Sequence, residues 1–240
     1  MSYANNTFGE PLTFAAQASA DARADFIGKT YLHLGGAVLA FAAITAALMG
    51  TPFAVALSNL VWGTQYGYLV FFAVFMGVSW LAESWARSST SQPTQYLGLG
   101  LYVLAQSVFF VPLLMIAQRV GSDVIPTAAV LTLVVFAGLT VIVWFTRYNF
   151  SFLGPGLSVA GLAILGVFLC SFLFGYNLGS LGVWLPAGLV VFAGLYILYH
   201  TSNVLHEYQI GQHVAASLAL FASVALLFWY MIQLVMRARE

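Results

Sequence analysis

Charge is what this chain has least of. Only 6% of its 240 residues are Asp, Glu, Lys or Arg, against about 25% in a soluble domain. No such residue occurs from 148 to 206, and further charge-free runs cover 30–82, 88–118, 124–146 and 208–236. Cysteine is almost missing too. The single Cys170 permits no internal disulfide and reads as packing within an apolar run. Seven basic residues balance seven acidic ones without clustering, which excludes a nucleic-acid-binding face and a polybasic lipid-binding segment. Signatures of catalysis are absent as well. There is no Gly-x-Ser-x-Gly, no phosphate-cradling glycine loop and no dinucleotide fingerprint, and Ser171 beside Cys170 has no identifiable base. Nothing in the residues argues for an enzyme or a cofactor. No soluble domain, low-complexity tract or convincing short repeat stands out.

What is there is hydrocarbon. Hydrophobic residues make up 62% of the chain and the mean hydropathy is +0.95, so too few polar groups exist to cover a water-facing surface. About 20 apolar residues cross a bilayer as a helix. Long non-alternating runs exclude a β-barrel, the other way to satisfy backbone polar groups in lipid. The fold class expected is therefore all-α, a polytopic membrane protein with the lipid bilayer as its first partner. Residues 1–25 read as a polar tail retained in the mature protein, with acids at Glu10, Asp21 and Asp25. The membrane domain is 26–240. Its entry, residues 21–29, reads as an amphipathic lead-in.

Seven spans follow from the punctuation by glycine, proline and amides, at about 30–50, 66–86, 96–117, 126–145, from after the 151–156 segment to 176, 184–203 and 213–236. Pro112 predicts a kink and Pro126 a first-turn position. Tyr66, Tyr68, Trp85, Tyr96, Trp144, Tyr148, Tyr176, Trp184, Tyr208, Trp229 and Tyr230 fall where an interfacial belt would hold them. Gly35, Gly36, Gly98, Gly100, Gly138, Gly161 and Gly166 are candidates for close helix approach. With the amino terminus inside, Arg23, Lys29, Arg87 and Arg147 lie inside and Arg119, Arg237 and Arg239 outside. This weak bias gives an inside amino and an outside carboxyl terminus, unless the last segment is re-entrant. Short loops suit a bacterial inner membrane.

Ionisable groups near or within spans mark functional candidates, because hydrocarbon penalises them. Glu83 and Arg87, four apart and acid first, are spaced for an intrahelical ion pair; Glu83 could instead face a water-filled cavity. On the sixth span His200, Asn203 and Glu207 recur at i, i+3 and i+7, with Tyr199 and His206 on a neighbouring stripe. An imidazole titrates nearest neutrality, so a buried His200 could gate a path by taking up a proton, or could simply be satisfied by backbone or water at a loop end. A metal set of His200, His206, Glu207 and His213 is a minor alternative; His206-Glu207 and His213 do not make the zinc-protease spacing.

The stretch Gly194-Leu-Tyr-Ile-Leu-Tyr-His-Thr-Ser-Asn-Val-Leu-His206 resembles the sixth-span motif of the Bax inhibitor-1 family. Phe26-Ile-Gly-Lys-Thr-Tyr-Leu-His-Leu-Gly35, Phe136-Ala-Gly-Leu-Thr140 with Tyr148-Asn-Phe-Ser-Phe-Leu-Gly154, and Ala216-Ser-Leu-Ala-Leu-Phe-Ala-Ser-Val224 agree in order and spacing. The resemblance implies six helices around a central one. It further implies a pH-sensitive calcium leak in some members, and binding to membrane proteases or other membrane partners in others. The leak is attributed to two aspartates, one on each of the last two spans. Here their positions hold His200 and Ser223. Two close carboxylates share a proton and suit calcium; a His–Ser pair carries no negative charge. The resemblance therefore implies a weakened, uncharged latch, with Glu83 and Glu207 the acids left for a cation path.

Overall fold

The computed structural model describes residues 14–88, 91–146, 148–175 and 177–239. The first thirteen residues (Glu10 included), Arg147 and Tyr176 lie outside the described residues. Eight α-helices carry the chain: α1 (Ala20–Met49), α2 (Pro52–Trp62), α3 (Gly67–Ala86), α4 (Gln92–Val120), α5 (Val124–Thr146), α6 (Leu153–Phe174), α7 (Trp184–His206) and α8 (His213–Arg237). All except α2 are long and apolar enough to cross a membrane, which gives the seven spans expected. Among the described residues the only extended pairing is one antiparallel bridge, Phe14 with Gln209.

Local chemistry sets the helix ends. Ser19 caps α1, its Oγ accepting from the Ala22 N–H at 3.3 Å, with Asp21 in the first turn. The lead-in and first span are thus one continuous helix, beginning inside the stretch read as tail, and Asp25 and Lys29 pair along it at 2.7 Å. Pro52 starts α2 in the first turn, where its missing N–H costs nothing. Gly175 ends α6 at φ +71°, a left-handed turn that other residues enter reluctantly. Hydroxyls within the spans return to the carbonyl four residues back: Thr30 to Phe26, Ser107 to Val103, Thr132 to Ala128 and Ser158 to Gly154. That satisfies them where no water would.

The short α2 was not expected. At about 1.5 Å per residue, its 11 residues reach about 16 Å, half of what a hydrocarbon core requires.

The chain divides into two compact units, one from the chain up to Arg119 with Val204–Ala222, the other from Val120–Asn203 with residues from Ser223 onward. In the first unit Phe41 meets Phe110 and Phe221 edge-on at 5.0 and 6.0 Å, and Phe109 stacks on Phe75 at 4.1 Å. The α3 and α4 backbones touch at Gly98, where an added Cβ would lie 2.5 Å from the Ala82 oxygen and the Ala86 nitrogen. In the second unit Gly194 packs against Leu139 and Gly161 against Phe192. Gly35, Gly36, Gly100, Gly138 and Gly166 meet nothing within 4 Å, so they are not close-approach points within this chain. Burial separates the helices sharply. In their most apolar stretches α4 and α8 are each 61% buried, and α6 only 6%. Among the aromatic candidates Tyr66, Trp85, Tyr96, Trp144, Tyr148 and Trp184 are exposed as a belt requires, whereas Tyr208 is buried.

Candidate functional site at the end of the sixth span

The polar end of α7 is built into the second unit by the segment that precedes α6. The Phe150 N–H donates to Ser202 Oγ at 2.8 Å, and the Ser151 hydroxyl donates to Asn203 Oδ1 at 2.9 Å. Gly154 admits the Tyr199 ring, which would lie 2.9 Å from any Cβ at that position. Thr201, Ser202 and Asn203 are all buried. His200 is half-buried, with the rings of Tyr199 and Tyr196 at 4.9 and 5.7 Å. Ser223, on the part of α8 belonging to the same unit, is 3% exposed. Asn203 and Ser223 are therefore polar groups buried within the protein, His200 is partly so, and Asn203 serves as a tie. Glu207 lies past the end of α7 in an exposed turn, so only His200 and Asn203 of the expected stripe sit on the helix.

Glu83 and Arg87 belong to the first unit. They form the expected intrahelical pair, Arg87 Nη2 to Glu83 Oε1 at 2.8 Å, with both side chains about half exposed (45% and 53%). The phenol oxygen of Tyr208, just beyond α7, also faces the guanidinium. Pairing at the mouth of α3 matches a satisfied, partly hydrated ion pair, for which a net value of a few tenths of a kcal/mol is typical.

The first unit also contains a cluster that sequence reasoning missed. His33 on α1, Tyr96 on α4 and His213 at the start of α8 converge. The imidazole centroids lie 5.1 Å apart, and Tyr96 Oη is 3.4 Å from His213 Nε2. His33 Nδ1 is 2.6 Å from the Lys29 carbonyl, so that nitrogen carries the proton. His213 thus meets His33. Among the described residues no three His, Cys, Asp or Glu side chains gather as a metal set would. The only available signal was that all four histidines fall near span ends on one side of the membrane, which does not single out His33 and His213.

On the far side of the second unit, Arg239 makes a two-pronged ion pair with Asp123, tying the chain beyond α8 to the α4–α5 turn. The Arg239 guanidinium holds the Asp123 carboxyl below the usual carboxylate range.

Seven long apolar helices, with buried hydroxyl, amide and imidazole groups on the last two, define a polytopic helical membrane protein. The family model described as Inhibitor of apoptosis-promoting Bax1 matches residues 23–240, and the chain belongs to that family. Relatives include the protein LIFEGUARD 4 of Arabidopsis thaliana, 35% identical over 57% of this chain and 55% of its own. An uncharacterised Pseudomonas aeruginosa protein is 29% identical over 67% of this chain and 68% of its own. One from Campylobacter jejuni is 28% identical over 75% of this chain and 74% of its own.

Proposed function

We propose that this integral membrane protein provides a pH-sensitive leak for protons or small cations, gated where α7 and α8 present His200 and Ser223. The observation that supports it is the burial of Thr201, Ser202, Asn203 and Ser223 on helices that lie in hydrocarbon. Polar groups buried on spanning helices mark ion paths and proton relays in membrane proteins. A neutral imidazole and a hydroxyl can hydrogen-bond and latch two helices. A protonated His200 would repel a cation, so the path closes or loses conductance on acidification below the ordinary imidazole range, near 6.5. With no carboxylate at either position, little selectivity for calcium is expected. Glu83 and Glu207 are the acids left for a cation path, Glu83 being paired with Arg87. The membrane is proposed to be a bacterial inner membrane with the amino terminus cytoplasmic; the short loops and the bacterial relatives support this reading.

The absence of a carboxylate on α7 and on α8 favours a second reading. In it the protein does not conduct, and instead modulates a membrane protease or serves as an accessory subunit of a larger membrane complex. Proteoliposomes decide between the two. Proton and cation flux should fall from pH 8 to pH 5.5 and lose that dependence in His200→Ala. Absence of flux at both pH values, together with a stoichiometric partner retained in mild detergent, supports the second reading instead.

A further inference from the structure

A cavity of about 350 Å³ opens in the first unit between α2 and the last turns of α4, lined among others by Ser58, Asn59, Trp62, Pro112, Met115 and Arg119. Its polar side chains are a guanidinium, a carboxamide and a hydroxyl, each able to donate. No carboxylate lines it. Among the described residues the side chains of Arg119 and Asn59 make no hydrogen bond or ion pair. Ser58 is 7% exposed, and its sealed hydroxyl has no partner either. Two unused donors at one hollow, one of them a guanidinium, suit an anion with several acceptor oxygens.

The surroundings say which anion. Arg119 sits in the last turn of a spanning helix, at the level where basic side chains reach headgroups. Helix α2 is too short to span, yet it exposes Phe53, Val55, Leu60 and Trp62, of which Trp62 lines the cavity. A segment of this kind rests at the interface with its apolar side among acyl chains. Gly63 closes α2 tightly, because a Cβ there would lie 2.3 Å from the Asn59 carbonyl oxygen. That tight end holds Asn59 and Trp62 at the rim of the cavity.

We propose that this cavity is a phospholipid site. The phosphodiester is held by Arg119 and Asn59, and the acyl chains lie along the exposed side of α2. The site is independent of the latch on α7 and α8. The test uses the purified full chain in uncharged detergent, titrated with phosphatidylglycerol and read by native mass spectrometry. Saturable binding is expected that diacylglycerol does not reproduce and millimolar inorganic phosphate does not displace. Arg119→Gln should weaken it about tenfold, and Lys29→Gln should leave it unchanged. Asn59→Asp alters an exposed position and places a negative charge beside the guanidinium. It should weaken binding as well, and it keeps the test decisive if Arg119→Gln does not fold by thermal unfolding. Equal binding by folded Arg119→Gln or Asn59→Asp overturns the proposal. So does equal binding of diacylglycerol, and displacement by inorganic phosphate would make the cavity a free-anion site.

Discussion

Asn203 shows how a residue acquires meaning only in its surroundings. Its spacing from His200 suggested a conducting stripe, but its Oδ1 is the acceptor that holds Ser151, and with it the segment before α6. A buried tie of this kind contributes about 1 kcal/mol. Asn203→Ala and Ser151→Ala should each lower the melting temperature in detergent, and the double variant should lose no more than either one. Additive losses would mean that the two side chains act separately. Asp123 makes a different prediction at the same scale. Its folded pKa is depressed, first by the hydrogen bonds from Arg239. The contribution of this pair is therefore present above the ordinary aspartate value of about 3.9 and is lost as pH falls through the lower folded value. Protection of the amides at residues 237–239, taken relative to their intrinsic exchange rate at each pH, should hold from pH 7 to 5 and fall only in strong acid. Asp123→Asn should lower that protection throughout. His33 and His213 belong here too, since nothing in the spacing of two distant histidines announces a contact that only the packing of α1 against α8 creates.

Helices were the most legible level. Lipid demands long apolar runs, so seven of them could be located from composition, most ends falling within a few residues; the start of α1 is the exception, since the helix extends back from 30 to Ala20. The short α2 was invisible because its 11 residues fall below any spanning length and match a loop between glycines equally well. Glycine was legible as a residue but not as a face. Gly98 presses on the backbone of α3 while Gly100, two residues on, meets nothing, since successive positions on a helix point in different directions. Gly98→Val should therefore force α3 and α4 apart. Overpacking of this kind costs about 1–3 kcal/mol, enough for a clear fall in melting temperature. Gly100→Val on the same helix should be tolerated. Equal effects at the two positions would show that helix propensity, not the approach to Ala82 and Ala86, is what matters.

For the whole molecule, the question is which ends share a side of the membrane. The described basic residues give little help: Arg23, Lys29 and Arg87 stand against Arg119, Arg237 and Arg239. Absolute orientation then rests on the first span, which usually dominates. Relative orientation rests on geometry, because α2 at about 16 Å cannot cross and seven crossings remain. The two ends of the chain should therefore face opposite compartments, with the α2–α3 turn on the side of the carboxyl end. In a Cys170→Ser background, Ser19→Cys and Ser88→Cys should react with an impermeant maleimide from one side. Gln65→Cys and Ala238→Cys should react only from the other. If α2 crossed after all, Gln65→Cys would label with Ser19→Cys. The cavity beside Arg119 would then lie within a pair of spanning helices and not at a headgroup surface, so the same labelling pattern also tests the setting of the lipid site.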